Sequence, residues 1–179
     1  MAYIGKTPTA VPLTSGDITN GIITTAKIAD DAISAAKLAS GVGGKVVQMV
    51  SATTSSSTTV SGDGSFTSTS LTANITPSST SNKIIIWSLG GEADTGAATH
   101  SMQPSIFRGS TNIGNATAGM NTVYGTGTRL QGNPTVGVVD SPNSTSQQTY
   151  TLKIKGGGGT TTFNANSCQA TIILMEVTP

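Results

Sequence analysis

From residue 45 onward, apolar side chains recur mostly at alternate positions between Gly-, Ser- and Asn-rich breaks, the signature of strands with one face inward. Residues 45–51 form the first such run. Gly62-Asp63-Gly64 marks a turn, and in the run 65–76 that follows, Phe66, Leu71, Ala73 and Ile75 are the inward candidates. Residues 77–82 turn again. Lys83-Ile84-Ile85-Ile86-Trp87-Ser88-Leu89 is then a nearly continuous apolar run, which predicts a strand buried on both faces. Residues 102–108 and 111–113, separated by Gly109-Ser110, predict a hairpin. Residues 134–139 predict a further strand, 140–147 a loop, and Thr149-Tyr150-Thr151-Leu152-Lys153-Ile154 alternates cleanly. Residues 156–159 turn the chain into 160–164, and 169–177 make the last strand. About eight to ten strands, with turn signals every ~8–15 residues, predict a mainly β fold: an antiparallel β-sandwich of jelly-roll type.

Residues 1–44 follow another pattern. Ile23-Thr24-Thr25-Ala26-Lys27-Ile28-Ala29 is matched by Ile33-Ser34-Ala35-Ala36-Lys37-Leu38-Ala39 ten positions later. Two copies are too few for a solenoid. Two local readings stay open. Ile22, Ala26, Ala29, Ile33 and Ala36 step by 4, 3, 4 and 3, the spacing of a coiled-coil seam. Alternatively, two short helical turns flank an irregular Asp30-Asp31 corner, which suits the ten-residue repeat better. Upstream, Thr7-Pro8-Thr9-Ala10-Val11-Pro12 is expected to be extended, because a proline disfavours helix at the residue before it. Gly41-Val42-Gly43-Gly44 is expected to be a hinge. In either reading the arm, residues 1–44, has an apolar side that needs copies of itself or another surface to cover it. The head is residues 45–179.

Composition narrows the function classes. Only 9% of the residues are charged, against about 25% in ordinary soluble domains. Nine basic and eight acidic residues give a net charge of +1, no footprint for nucleic acid or an anionic membrane surface. No apolar stretch approaches the ~18 residues of a membrane span, so no membrane insertion is expected. The first residues lack the basic-then-apolar order of a signal peptide, so synthesis in a cytoplasm without such export is expected. One His, one Cys and one Trp leave little material for catalysis, and we expect neither an enzyme nor a cofactor. His100 with Glu92 and Asp94 lacks the third and fourth ligands zinc requires, and the dense acidic loop calcium prefers. Cys168 reads as a small buried residue. No Gly-x-Ser-x-Gly elbow occurs. The glycine-rich segments 62–64 and 156–159 precede neither Lys-Ser/Thr nor a helix, so they read as turns and not as phosphate cradles.

Met1-Ala2-Tyr3-Ile4-Gly5-Lys6, together with the tandem units in residues 22–40, resembles tail-fibre and other virion proteins of marine bacteriophages, notably cyanophages. The β part resembles the small trimeric heads of such fibres, which are similar to the jelly rolls of tumour necrosis factor and C1q. That likeness is carried by residues 83–89, by Ser105-Ile106-Phe107-Arg108-Gly109-Ser110-Thr111-Asn112-Ile113-Gly114, by Asp140-Ser141-Pro142-Asn143 and by residues 170–177. It implies a homotrimer located on the virion, whose arm docks on a phage capsid or tail protein and whose head either binds the host surface or decorates the capsid. In the arm, the side chains expected to make docking or trimer contacts are Tyr3, Ile4, Ile18, Ile22, Ala26, Ile28, Ala29, Ile33 and Leu38. Trp87, Phe107, Tyr150 and Phe163 are expected to divide between the sandwich core and a three-fold axis. Fibres of this kind are usually much longer, so a short fibre or knob is expected. Loops 92–100, 112–131 and 140–147 are rich in Gly, Ser, Thr and Asn, groups that hydrogen-bond sugars when an aromatic platform is present. Tyr124, Arg129 and Asn143 are the candidates for contact with a host surface glycan; the plainer alternative is that these loops only cap the sandwich.

Overall fold

The computed structural model describes Thr14, Gly16, Ile18, residues 23–29, 32–33 and 45–179. The chain divides into two units, Met1–Gly43 and Gly44–Pro179. The second unit contains β1 (Val46–Thr54), β2 (Thr58–Val60), β3 (Thr67–Ile75), β4 (Lys83–Gly90), β5 (Ala93–Asp94), β6 (Ser101–Arg108) and β7 (Thr111–Asn112). It continues with β8 (Val123–Tyr124), β9 (Gln131–Gly132), β10 (Val136–Asp140), β11 (Gln148–Gly157), β12 (Thr161–Phe163) and β13 (Ala170–Val177).

These strands make three sheets. A front sheet runs in the order β1-β13-β4-β10, a back sheet in the order β3-β11-β6-β7 with β8 also paired to β6, and a small end sheet in the order β2-β12-β5-β9. Every pairing is antiparallel. The head is thus a mainly β unit of antiparallel sheets, consistent with a β-sandwich.

Alternation explains the layering. In β13, Ala170, Ile172, Leu174 and Glu176 point inward; in β3, Thr69, Leu71, Ala73 and Ile75 do; in β11, Tyr150, Leu152 and Ile154 do. With Ile84, Ile86, Met102, Ile106, Val136 and Phe163 they form one continuous core drawn from both sheets. A one-residue slip of any of these strands would turn its apolar set outward, so the pattern itself fixes the register.

The registers also define two ends. At one, β1 begins, β13 finishes and β10 finishes, and Thr178 N donates to Lys45 O at 2.9 Å. The chain therefore enters the head at the end where β13 stops. At the other, the extensions of β1, β4, β11 and the lead into β10 pair with one another as the end sheet. Two polar knots tie the entry end. Arg108 Nη1 and Tyr150 Oη both donate to Asp140 Oδ2 at 2.7 Å, linking β6 and β11 of the back sheet to β10 of the front. Burial, then the hydrogen bond to Asp140, pushes the Tyr150 phenol well above its usual range. Glu176, fully buried, accepts from Ser78 N and Ser78 Oγ at 2.7 Å, Asn82 Nδ2 at 2.6 Å and Gln48 Nε2 at 2.5 Å. It pins the β3–β4 turn beneath the front sheet.

Several expectations need correction. Residues 83–89 are not buried on both faces: Ile84, Ile86 and Ser88 are inside, whereas Trp87 and Leu89 are exposed on the outer side. The apolar run had concealed an ordinary two-faced strand. Phe66 lies before β3 and is only half-buried; its ring meets that of Phe107 with centroids 5.2 Å apart. The glycine turn starts later than expected, because β11 runs on through Gly157. The extra strands beyond the expected number, β2, β5, β8 and β9, are two or three residues long, too short for any periodicity to announce them.

In the first unit, the described residues contain no α-helix. Thr25–Lys27 form one 3-10 turn, closed by Lys27 N donating to Thr24 O at 2.9 Å, and Ala32 N donates to Ala29 O at 3.1 Å. A continuous seam helix through Ala26 and Ala29 is not what these residues form. The extended segment 7–12, the Asp30-Asp31 corner and the glycine hinge at 41–44 lie outside the described residues.

Candidate functional site

The outer side of the front sheet is apolar across all four strands. Register aligns Met49, Met175, Ile85 and Val139 in one row, and Ser51, Ile173, Trp87 and Gly137 in the next; Leu89 continues it beside Thr171. Met49 is 63% exposed, Val139 57% and Trp87 42%. The Trp87 indole lies over Gly137, its neighbour on β10: a Cβ there would fall 2.6 Å from the indole Cδ1. Lys83, at the edge of the patch, is its one charge among these alternate positions. Soluble monomers rarely leave so contiguous an apolar surface in water, and such a patch marks an interaction site.

On the back sheet the corresponding outward positions are polar. Thr72 and Thr151 pair with their hydroxyls 2.9 Å apart, and Thr149 Oγ1 donates to Asn74 Oδ1 at 2.7 Å. Ser68 and Ser70 are exposed beside them. Where aromatic rings reach this side, lysines cover them. Lys153 Nζ sits 4.4 Å from the Phe107 centroid, and Lys155 Nζ sits 5.0 Å from that of Phe66. Lys155 also donates to Thr117 O, fastening the loop after β7 across the sheet.

The candidate glycan residues do not form one site. Tyr124 is exposed on β8, opposite Ser101 at the start of β6, at the end-sheet end. Arg129 lies at that same end, where its Nε donates to Asp94 Oδ1 at 2.8 Å and its Nη2 to Oδ2. That hydrogen bond holds the Asp94 carboxyl below its usual range against the opposing effect of burial. Asn143 is exposed at the other end, in a left-handed conformation (φ 50°) between β10 and β11. Phe107, Tyr150 and Phe163 are buried within the single chain, and Trp87 alone of the four large aromatics faces out.

In the arm, Ile18, Ala26, Ile28, Ala29 and Ile33 are all exposed. Tyr3, Ile4, Ile22 and Leu38 lie outside the described residues. One signal escaped the reading by repeats of ten. Among the described residues of this unit, the exposed large apolar side chains are Ile18, Ile23, Ile28 and Ile33, spaced by five.

The remaining reactive groups are engaged or isolated. His100 Nδ1 lies 3.0 Å from Thr95 O and 3.1 Å from Thr160 O, with its ring against Gly159, so it acts as a hydrogen-bonding wedge between loops. Glu92 accepts from Asn166 N and Nδ2. Among the described residues no three His, Cys, Asp or Glu side chains gather as a metal site would need. Cys168 is exposed, not buried as its type suggested. No protein-family model matches the chain, and no curated protein matches it as a relative.

Proposed function

We propose that the chain is a virion structural protein: a short homotrimeric fibre whose residues 1–44 dock on a phage capsid or tail protein and whose jelly-roll head projects for host-surface binding. The observation that carries the trimer is the apolar outer side of the front sheet, from Met49 across Ile85 and Trp87 to Val139. Burying it against copies of itself removes several large side chains per copy from water, each worth about 1.5–3 kcal/mol. The strand orders support the jelly roll. Chain order alternates between sheets, with β1, β4, β10 and β13 in front and β3, β6, β7, β8 and β11 behind, and only β6, β7 and β8 follow one another in one sheet. The virion assignment rests on the resemblance of residues 1–6 and 22–40 to phage fibre proteins.

For a chain held through residues 1–44, the end bearing Tyr124 and Arg129 is the one opposite the point where the chain enters the head. Host contact is therefore assigned to that end, with Tyr124 as the platform. Asn143 lies at the entry end and takes no part. Light scattering on the purified chain tests the first half of the reading. A particle of about 54 kDa, three times the 17.9 kDa chain, is expected, and a monomer overturns it. A cryo-electron-microscopy map of the virion tests the second. Density on the tail would favour host recognition; density spread over the capsid shell, with Tyr124→Ala leaving adsorption unchanged, would instead make this a decoration protein.

A further inference from the structure

We infer that the segment bearing Ile18, Ile23, Ile28 and Ile33 is a self-assembling stalk, in which identical chains run parallel and these isoleucines meet in layers five residues apart. The inference deepens the reading above and rests on it for the number of copies, though not for the register.

Four observations converge on it. The four isoleucines are equally spaced in the chain, and each is 39–54% exposed. Every described residue of this unit whose side chain is characterised is exposed, so the described residues of the segment do not cover them. The backbone carries the same period: Lys27 N bonds Thr24 O and Ala32 N bonds Ala29 O, two turns of the same i to i+3 type exactly one five-residue step apart, each closing just before an isoleucine. Finally, the residues that follow the isoleucines are Thr19, Thr24, Ala29 and Ser34, all uncharged and small. The nearby charges, Asp17, Lys27, Asp30 and Asp31, fall at other positions of the five.

The period identifies the occupant. A surface that offers one apolar side chain per five-residue turn is matched along its length only by something with the same spacing. A second copy of this chain, parallel and in register, has that spacing by construction. A period of five residues, unlike the 3.5 of a heptad seam, argues against these chains joining as a coiled coil.

Disulfide trapping tests the register. In the full chain with Cys168→Ser, single cysteines are introduced as Ile23→Cys, Ile28→Cys, Ala26→Cys and Asp31→Cys, and each variant is weighed by light scattering before mild copper-catalysed oxidation. Covalent dimers at 23 and 28 forming about tenfold faster than at 26 and 31, as their higher effective concentration requires, is the expected result. A trimeric mass with equal rates at all four positions, or with Ala26→Cys fastest as a heptad seam would give, overturns the stalk and leaves the head trimer standing. A monomeric mass in the parent chain overturns both.

Discussion

The two outward faces of the sandwich are built on the same pleat and bounded by the same core, yet they carry opposite chemistry. On the front sheet the positions between Ile84, Ile86, Ile172 and Leu174 hold Ile85, Trp87, Ile173 and Met175. On the back sheet the positions between Leu71, Ala73, Tyr150 and Leu152 hold Thr72 and Thr151, and the rings that do emerge are covered by Lys153 and Lys155. Folding of one chain needs only the inner faces to be apolar. The front sheet exceeds that requirement, and the excess is what points to association. A chain with 9% charged residues has little electrostatic repulsion to keep copies apart, so the polar back sheet restricts contact to one side.

Placing a charge in the centre of the front face should break the contrast most severely. Trp87→Asp or Ile85→Asp is expected to weaken association about a thousandfold or more, since a carboxylate buried without a partner forfeits its hydration. Light scattering should then report the 17.9 kDa chain with the circular dichroism of the sheets retained. Thr151→Asp, the same charge on the back face, should leave the mass unchanged. A monomer from Thr151→Asp would exchange the roles assigned to the two faces.

Acid should separate core integrity from face chemistry. Burial on its own would raise the Glu176 carboxyl, but the hydrogen bonds from Gln48, Asn82 and Ser78 outweigh it and hold the group below its ordinary value of 4.5. A carboxyl lowered in the folded state contributes stability that is fully present above the unfolded value and is lost as pH falls through the folded one. Thermal stability should therefore decline below about pH 4.5. Glu176→Gln should cost about 1–3 kcal/mol at pH 7, by replacing an acceptor of four hydrogen bonds, and should flatten that acid decline. A midpoint unchanged by the substitution at both pH 7 and pH 3 would remove the pin from the β3–β4 turn.

Gly137→Ala offers a gentler probe of the front face. The added methyl meets the indole of Trp87, which must swing off the sheet. Because Trp87 is the sole tryptophan, its emission reports the change directly. Association should weaken about tenfold, or ~1.4 kcal/mol, with a red-shifted emission maximum. An unshifted maximum and an unchanged affinity would mean that the indole lies outside the contact.

Much of this contrast could be read along the chain, and its limits are instructive. Leu71, Ala73 and Ile75 point inward as the alternation in residues 65–76 predicts, because a period of two leaves no choice of face. Residues 83–89 misled, since apolar side chains at both parities look the same whether the second face is covered by the same chain or left open. The ion pair of Arg129 with Asp94 and the separation of Asn143 from Tyr124 depend on which strands are neighbours, and spacing in one sequence does not carry that. Nothing in the last strand's own sequence marks Glu176 as buried; its burial follows from donors on a turn some hundred positions away. In the arm the five-residue signal was present in the sequence all along, masked by a stronger match at twice that period.

The smallest expected effect is the sharpest test of the polar face. Thr72→Val with Thr151→Val removes a hydroxyl pair at 2.9 Å and also the hydrogen bond from Thr72 Oγ1 to Tyr150 O at 3.0 Å. Both side chains keep their β-branched shape, which suits a strand, and both hydroxyls have water as an alternative partner. Folding stability should therefore stay within about 0.5 kcal/mol of the parent. Oligomeric mass should also hold at low concentration, because two valines beside Ser68, Ser70 and Asn74 make no patch comparable to the front sheet. Assembly beyond a trimer in the double variant would show that the hydroxyls were keeping the back sheet from associating, and that polarity on this side restrains assembly as actively as the apolar front promotes it.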